Sequence, residues 1–145
     1  MLTGRDIQVI NFVDRFKIAR TQTIARLFYN NNLVIARRRL KEIVEKKKLT
    51  PIKLNREYAY IKDRPKQFHH ALLRSDFIGK MSEAVNIGYF DAEPKYDTIR
   101  PDAYVMYVKN GKTHHALLEV QTDRRPDMVK YKLWKWDRWF DARPE

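Results

Sequence analysis

Three consecutive arginines, Arg37, Arg38 and Arg39, with Lys41 and then Lys46, Lys47 and Lys48, form the densest set of side chains here able to hold a polyanion. At 100° per residue, Leu33, Ala36, Leu40, Ile43 and Val44 form one apolar stripe. Arg38 then falls almost opposite that stripe, Arg37 and Arg39 flank it, and Val34 and Ile35 also turn outward. A helix with this outward face suits a major groove, where arginine reads guanine bidentately and an apolar side chain meets a thymine methyl. Val34, Ile35 and Arg38 are therefore the candidate base readers. Arg37, Arg39, Lys41, Lys46, Lys47 and Lys48, with Lys53 and Arg56 further on, suit phosphates, which give salt-dependent affinity without sequence information. Two features weigh against this reading: three arginines in a row also mark a solvated helix face, and Glu42 and Glu45 would repel a nearby phosphate.

A second constellation lies in the other half. Pro101-Asp102 stands at the start of a strand, and Glu119-Val120-Gln121 follow across a hairpin. Strand side chains alternate, so Glu119 and Gln121 share a face, and Asp102 could join Glu119 there to hold a divalent ion such as Mg2+. Such an ion would activate water for phosphodiester cleavage. An Asp, an Asn-Gly turn and an exposed Glu also occur together by chance in many sheets. The pairs His69-His70 and His114-His115 read as core or surface histidines, because adjacent residues point in different directions and no spacing links the pairs. The series Tyr131, Leu133, Trp134, Trp136, Trp139 and Phe140 could stack on bases, but packing against a sheet or a second subunit is the preferred reading.

These residues need elements to position them. Thr3 and Asp6 form a capping box, with Leu2 and Ile7 as its hydrophobic staple. The apolar stripe from Ile7 to Phe16 then predicts a first helix ending near the basic cluster Lys17 to Arg20. A short helix capped by Thr21 follows and stops at Asn30-Asn31-Asn32. A third helix covers about 33–47, and alternation through Ile52, Leu54, Tyr58 and Tyr60 around a turn at 55–57 predicts a hairpin. Three helices and a hairpin make a winged helix-turn-helix. Beyond Pro65, residues 66–86 read as a helix, and Pro94 and Pro101 bracket an extended segment. Strands at 103–108 and 113–121 flank the Asn110-Gly111 turn, and an aromatic-rich helix is expected over about 127–140. The expected fold class is α+β: a DNA-binding domain over 1–64, then a small α/β domain over 65–145.

Composition limits the alternatives. With 145 residues, one modest core or two very small ones can be buried. The absence of cysteine excludes disulfides, thiol catalysis and Cys-based metal sites, and is compatible with a cytoplasmic setting. No apolar run approaches the ~18 residues of a membrane span, so no membrane role is expected. The formal net charge is +12, and residues 1–82 hold 19 Lys and Arg against 7 Asp and Glu, whereas residues 83–145 hold 11 of each. The whole excess thus lies in the first half, as it would if that half met a polyanion.

The order of LTGRDIQVINFVDRF (2–16), TIARLFY (23–29), ARRRLKEIVEKKKL (36–49), the His69-His70 neighbourhood, RPDAYVMY (100–107) and LLEVQTDRRP (117–126) resembles the replication-relaxation family of plasmids, phages and mobile elements of mainly Gram-positive bacteria. That resemblance implies a winged-helix protein bound to double-stranded DNA, with a C-terminal region similar to PD-(D/E)xK nucleases. By the same likeness, Asp102 and Glu119 would be metal ligands and Gln121 would stand where such nucleases carry lysine. Lys130 or Lys132 on the following helix would supply a displaced positive charge, and Glu83 an extra acidic ligand. Family members tend to have an acidic residue where Gln121 stands, which argues against metal binding. A nuclease domain of this type also needs a strand after its second helix, so the domain is incomplete at its C-terminus or completed by a partner. The expectation is a DNA-binding accessory factor in replication, relaxation, mobilisation or their transcriptional regulation, with replication or relaxosome proteins as partners and a homodimer by analogy. An Mg2+-dependent endonuclease and a protein-binding winged helix are the alternatives.

Overall fold

The computed structural model describes residues 1–94, 101–122 and 129–135. It is a mixed α+β protein with two small antiparallel sheets, in two compact units, Met1–Glu83 and Ala84–Glu145.

In the first unit, α1 (Gly4–Phe16) begins with the capping box read from the sequence, since Thr3 accepts from the Asp6 amide and Asp6 from the Thr3 amide. Ile7, the expected staple partner of Leu2, is half-exposed. Val9, Phe12, Val13 and Phe16 are buried on one face, and Phe12 stacks on Phe16 with ring centroids 4.5 Å apart. Lys17, at φ 78°, ends the helix in the left-handed region and releases the chain into β1 (Ile18–Arg20). No strand is legible here in the sequence, because charged Lys17 and Arg20 flank only two apolar residues. Helix α2 (Thr21–Phe28) is not capped by Thr21. Arg20 occupies the cap position without a side-chain bond, and the Thr21 hydroxyl donates to the Tyr58 carbonyl at 3.0 Å.

Asn30 and Asn31 both take positive φ, 52° and 61°, a conformation asparagine tolerates, and turn the chain into α3 (Leu33–Glu45). The side chain of Asn32 caps α3 by accepting from the Ile35 amide. Strands β2 (Thr50–Leu54) and β3 (Glu57–Ile61) form the expected hairpin, and β1 adds to the free edge of β3, giving the order β1-β3-β2. One apolar face of this sheet, Ile18, Ala59 and Ile61 with Ile52 and Leu54, packs on Phe68, Ala71 and Leu72 of α4 (Phe68–Ala84). The first unit therefore extends past Pro65, where the sequence reading divided the chain, because the sheet needs α4 as its cover. Buried Arg74 of α4 donates to the Phe16 carbonyl at the end of α1, at 3.0 Å, and lies over the Phe16 ring.

Helix α4 also presses on α2. A Cβ built on Gly79 would lie 3.0 Å from the Thr23 side chain and 3.2 Å from its Cα. Valine there adds bulk against a buried neighbour and gains little as a helix former. We expect Gly79→Val to destabilise the first unit by roughly 1–3 kcal/mol, read as a lower urea midpoint by helical circular dichroism. An unchanged midpoint would mean that the contact yields freely.

The second unit is a meander, β4 (Asn86–Ala92), β5 (Ala103–Lys109), β6 (Lys112–Thr122) and β7 (Val129–Lys135), with each strand antiparallel to the next. The Asn110-Gly111 turn is as expected: both residues have positive φ and Lys109 pairs with Lys112. The register shifts between Ile87 and Tyr89, and a Cβ on Gly88 would meet Met106 Cε at 2.7 Å. One strand is added and one expectation is corrected. Strand β4 precedes the proline-bracketed segment, and residues 129–135, read as part of an aromatic helix, form a strand. Val129-Lys130-Tyr131-Lys132-Leu133 alternates apolar and charged residues with the strand period of two, which the tryptophans obscured. Lys130 and Lys132 therefore lie on a strand. Trp136, Trp139 and Phe140 lie outside the described residues. Among the described residues the second unit contains no helix, and among them no helix in either unit is long and apolar enough to cross a membrane.

Candidate nucleic-acid interface

Helix α3 is anchored from beneath. Ala36, Leu40 and Ile43 are buried, and Leu33 and Val44 partly so. The opposite face carries Val34, 74% exposed, with Arg37, Arg38 and Lys41 also exposed, while Ile35 is half-buried. No carboxylate among the described residues lies within ion-pair distance of Arg37, Arg38 or Lys41. An apolar side chain and three such cations thus occupy the first turns of one helix.

Arg39 does not share this face. Its Nε and Nη2 donate to the buried Asp6 carboxylate, and its Nη1 lies 2.8 Å from Glu42. Asp6 also accepts from the Thr3 amide and the Tyr29 hydroxyl, each at 2.8 Å. One carboxylate thereby joins the start of α1, the end of α2 and the middle of α3. Burial alone would raise the Asp6 carboxyl, but bonds from Arg39, Thr3 and Tyr29 hold it well below the usual carboxylate range. Burial first, and then Asp6, push the Tyr29 phenol well above its ordinary value. We reassign Arg39 from phosphate contact to the anchoring of α3. Glu42, which the sequence reading set against a nearby phosphate, turns toward Arg39.

Lys46, Lys47 and Lys48 are exposed where α3 ends, with Lys47 at φ 59°. Cations there also suit the negative end of the helix dipole. Lys53 is exposed on β2, and Arg56 is exposed in the two-residue turn, which Asn55 permits at φ 49°. Sequence reasoning missed Arg20, whose guanidinium pairs with Glu57 and, at 3.0 Å, with Asp76. Burial raises the Asp76 carboxyl despite that partner.

In the second constellation Asp102 is held by the backbone of β6. The Asp102 carboxylate accepts the Val120 amide at 2.6 Å, and its backbone amide donates to the Leu118 carbonyl at 2.9 Å, which ties the start of β5 to the central strand β6. Glu119 pairs in register with Lys132, and Gln121 with Lys130. Glu83 belongs to the first unit and pairs with Arg26 at 2.7 Å, so the expected extra ligand has another partner. Among the described residues no three His, Asp or Glu side chains are grouped to hold a metal. The ring of His114 stacks with Tyr107, and that of His115 with Tyr104 on the adjacent strand.

Searches against models of known families, curated proteins and solved structures give no match to this chain.

Proposed function

We propose that the first unit is a winged helix-turn-helix that binds double-stranded DNA, with α3 in the major groove. The observation that carries this reading is the exposed set Val34, Arg37, Arg38 and Lys41, free of carboxylate partners among the described residues and held outward by the Asp6–Arg39 anchor. Val34 offers an apolar contact for a thymine methyl, and Arg38 the fork geometry for guanine. Arg37, Lys41 and the cations at 46–48, 53 and 56 supply phosphate contacts. With Glu83 counted, the first unit carries 19 Lys and Arg against 8 Asp and Glu, a net +11 on which electrostatic steering toward DNA can act. From its likeness to the replication-relaxation family, we propose that the protein serves a plasmid, phage or other mobile element in replication, mobilisation or their regulation.

The test is binding to random duplexes and to fragments of the element's own origin across a salt series. A linear fall of log affinity with log salt is expected, with preference for one fragment. Arg38→Ala should weaken the preferred fragment by roughly ten- to a hundredfold and random duplexes less, because a base contact discriminates and a phosphate contact does not. Equal and undetectable binding to every duplex would overturn the reading.

A further inference from the structure

The His69-His70 neighbourhood has no role in the reading above, yet His69 lines an open groove of about 870 Å3 in the first unit. Around that groove stand Arg37 from α3, Arg56 from the hairpin turn and His69 from the first turn of α4, all exposed. Leu54, Phe68 and Leu72 contribute its apolar surface. Arg20 and Glu57 also line it, but they pair with each other, and Arg20 pairs with Asp76 as well, so the one lining carboxylate is already neutralised. No carboxylate among the described residues is within ion-pair distance of Arg37 or Arg56. Three donors from three separate elements thus line one concavity, with two guanidinium charges left for an outside anion.

We propose that this groove seats a single backbone phosphate of the bound duplex, held jointly by Arg37, Arg56 and His69. Arg37 belongs both to the groove and to the exposed face of α3, so a strand lying against α3 would run directly into the groove. A phosphodiester oxygen pair matches guanidinium donors, and an imidazole N–H adds a third bond to the same group. This makes α4, a helix outside the helix-turn-helix itself, part of the DNA contact. It also makes Arg37 and Arg56 contacts to one phosphate instead of two. The inference rests on the DNA-binding reading and deepens it.

The experiment uses the full chain and a duplex it binds, carrying one neutral methylphosphonate at a time along each strand. One position should cost the wild type roughly five- to tenfold in affinity through the groove contact. Arg37→Gln, Arg56→Gln and His69→Gln should each reduce sensitivity at that same position and leave the others unchanged. Loss of sensitivity at different positions for the two arginines, or none for His69→Gln, would overturn the shared seat while leaving DNA binding intact. No binding of wild type to any duplex would overturn both. Inorganic phosphate at matched ionic strength should displace the duplex no better than chloride does. Stronger displacement with no sensitive position would assign the groove to a small phosphate compound and overturn the backbone assignment.

Discussion

Asp6→Ala is expected to destabilise the first unit by about 3 kcal/mol, because it removes one half of a capping box, strands the buried Tyr29 hydroxyl and deprives Arg39 of its buried partner, leaving it Glu42. For a unit of this size that lowers Tm by roughly 10–20 °C. Arg39→Ala should also lower Tm, since it leaves the buried carboxylate without its counter-charge, whereas Arg38→Ala, one residue away, should leave Tm unchanged. Equal effects of the two arginine substitutions on Tm would remove the anchoring role. The same contact fixes an acid response. The Asp6 carboxyl is depressed in the folded protein, because the bonds it accepts outweigh the rise that burial would cause. Its contribution to stability is therefore complete above the unfolded Asp value of about 3.9 and is lost as pH falls below that toward the folded value. Urea midpoints measured between pH 6 and pH 3 should fall on the acid side in wild type and fall less in Asp6→Ala.

The largest binding effect is expected from the double substitution Arg37→Glu with Arg38→Glu. It replaces two cations on the exposed face of α3 with two anions, so it removes attraction and adds repulsion at the same surface. A loss of roughly a hundredfold or more in affinity for the preferred duplex is expected at moderate salt, with a shallower salt dependence because fewer counterions are released. Both positions are exposed, so the melting temperature should stay near that of wild type. An affinity within a fewfold of wild type would take α3 out of the interface. Lost affinity with a collapsed melting temperature would report folding instead, and Asp6→Ala supplies the reference for that outcome.

Where a residue's role is set by its own segment, the sequence carried it. The Thr3-Asp6 capping box, the three-and-four spacing that turns Val34, Arg37 and Arg38 outward, and the Asn110-Gly111 turn are all local. Arg39 shows where local reasoning stops: the same spacing puts it on the flank of the outward face, and only the fold brings Asp6 beneath it. Asp6 itself reads as a capping residue, and its second role as an acceptor for Tyr29 and Arg39 depends on how three helices meet. Strand β1 was hidden because two apolar residues between charges give no periodicity, and its pairing with β3 spans both α2 and α3. Strand β7 is legible in the alternation of Val129 to Leu133, but the neighbouring tryptophans mask that period of two. The tyrosine partners of His114 and His115 sit on the adjacent strand, and only the register of β5 and β6 assigns them.

The pairing of Ile18 with Ile61 has a kinetic consequence. Helices α2 and α3 lie wholly inside the chain loop that this contact closes, and β1 closes it with three residues. Loop-closure entropy must be overcome before that contact contributes anything. The helices can therefore form early as local structure, but their exposed face acquires a fixed orientation only when a short strand, distant in sequence, locks against the hairpin. If the first unit binds DNA as proposed, the rate at which it gains binding competence is expected to follow the closing of that loop more closely than the formation of α3.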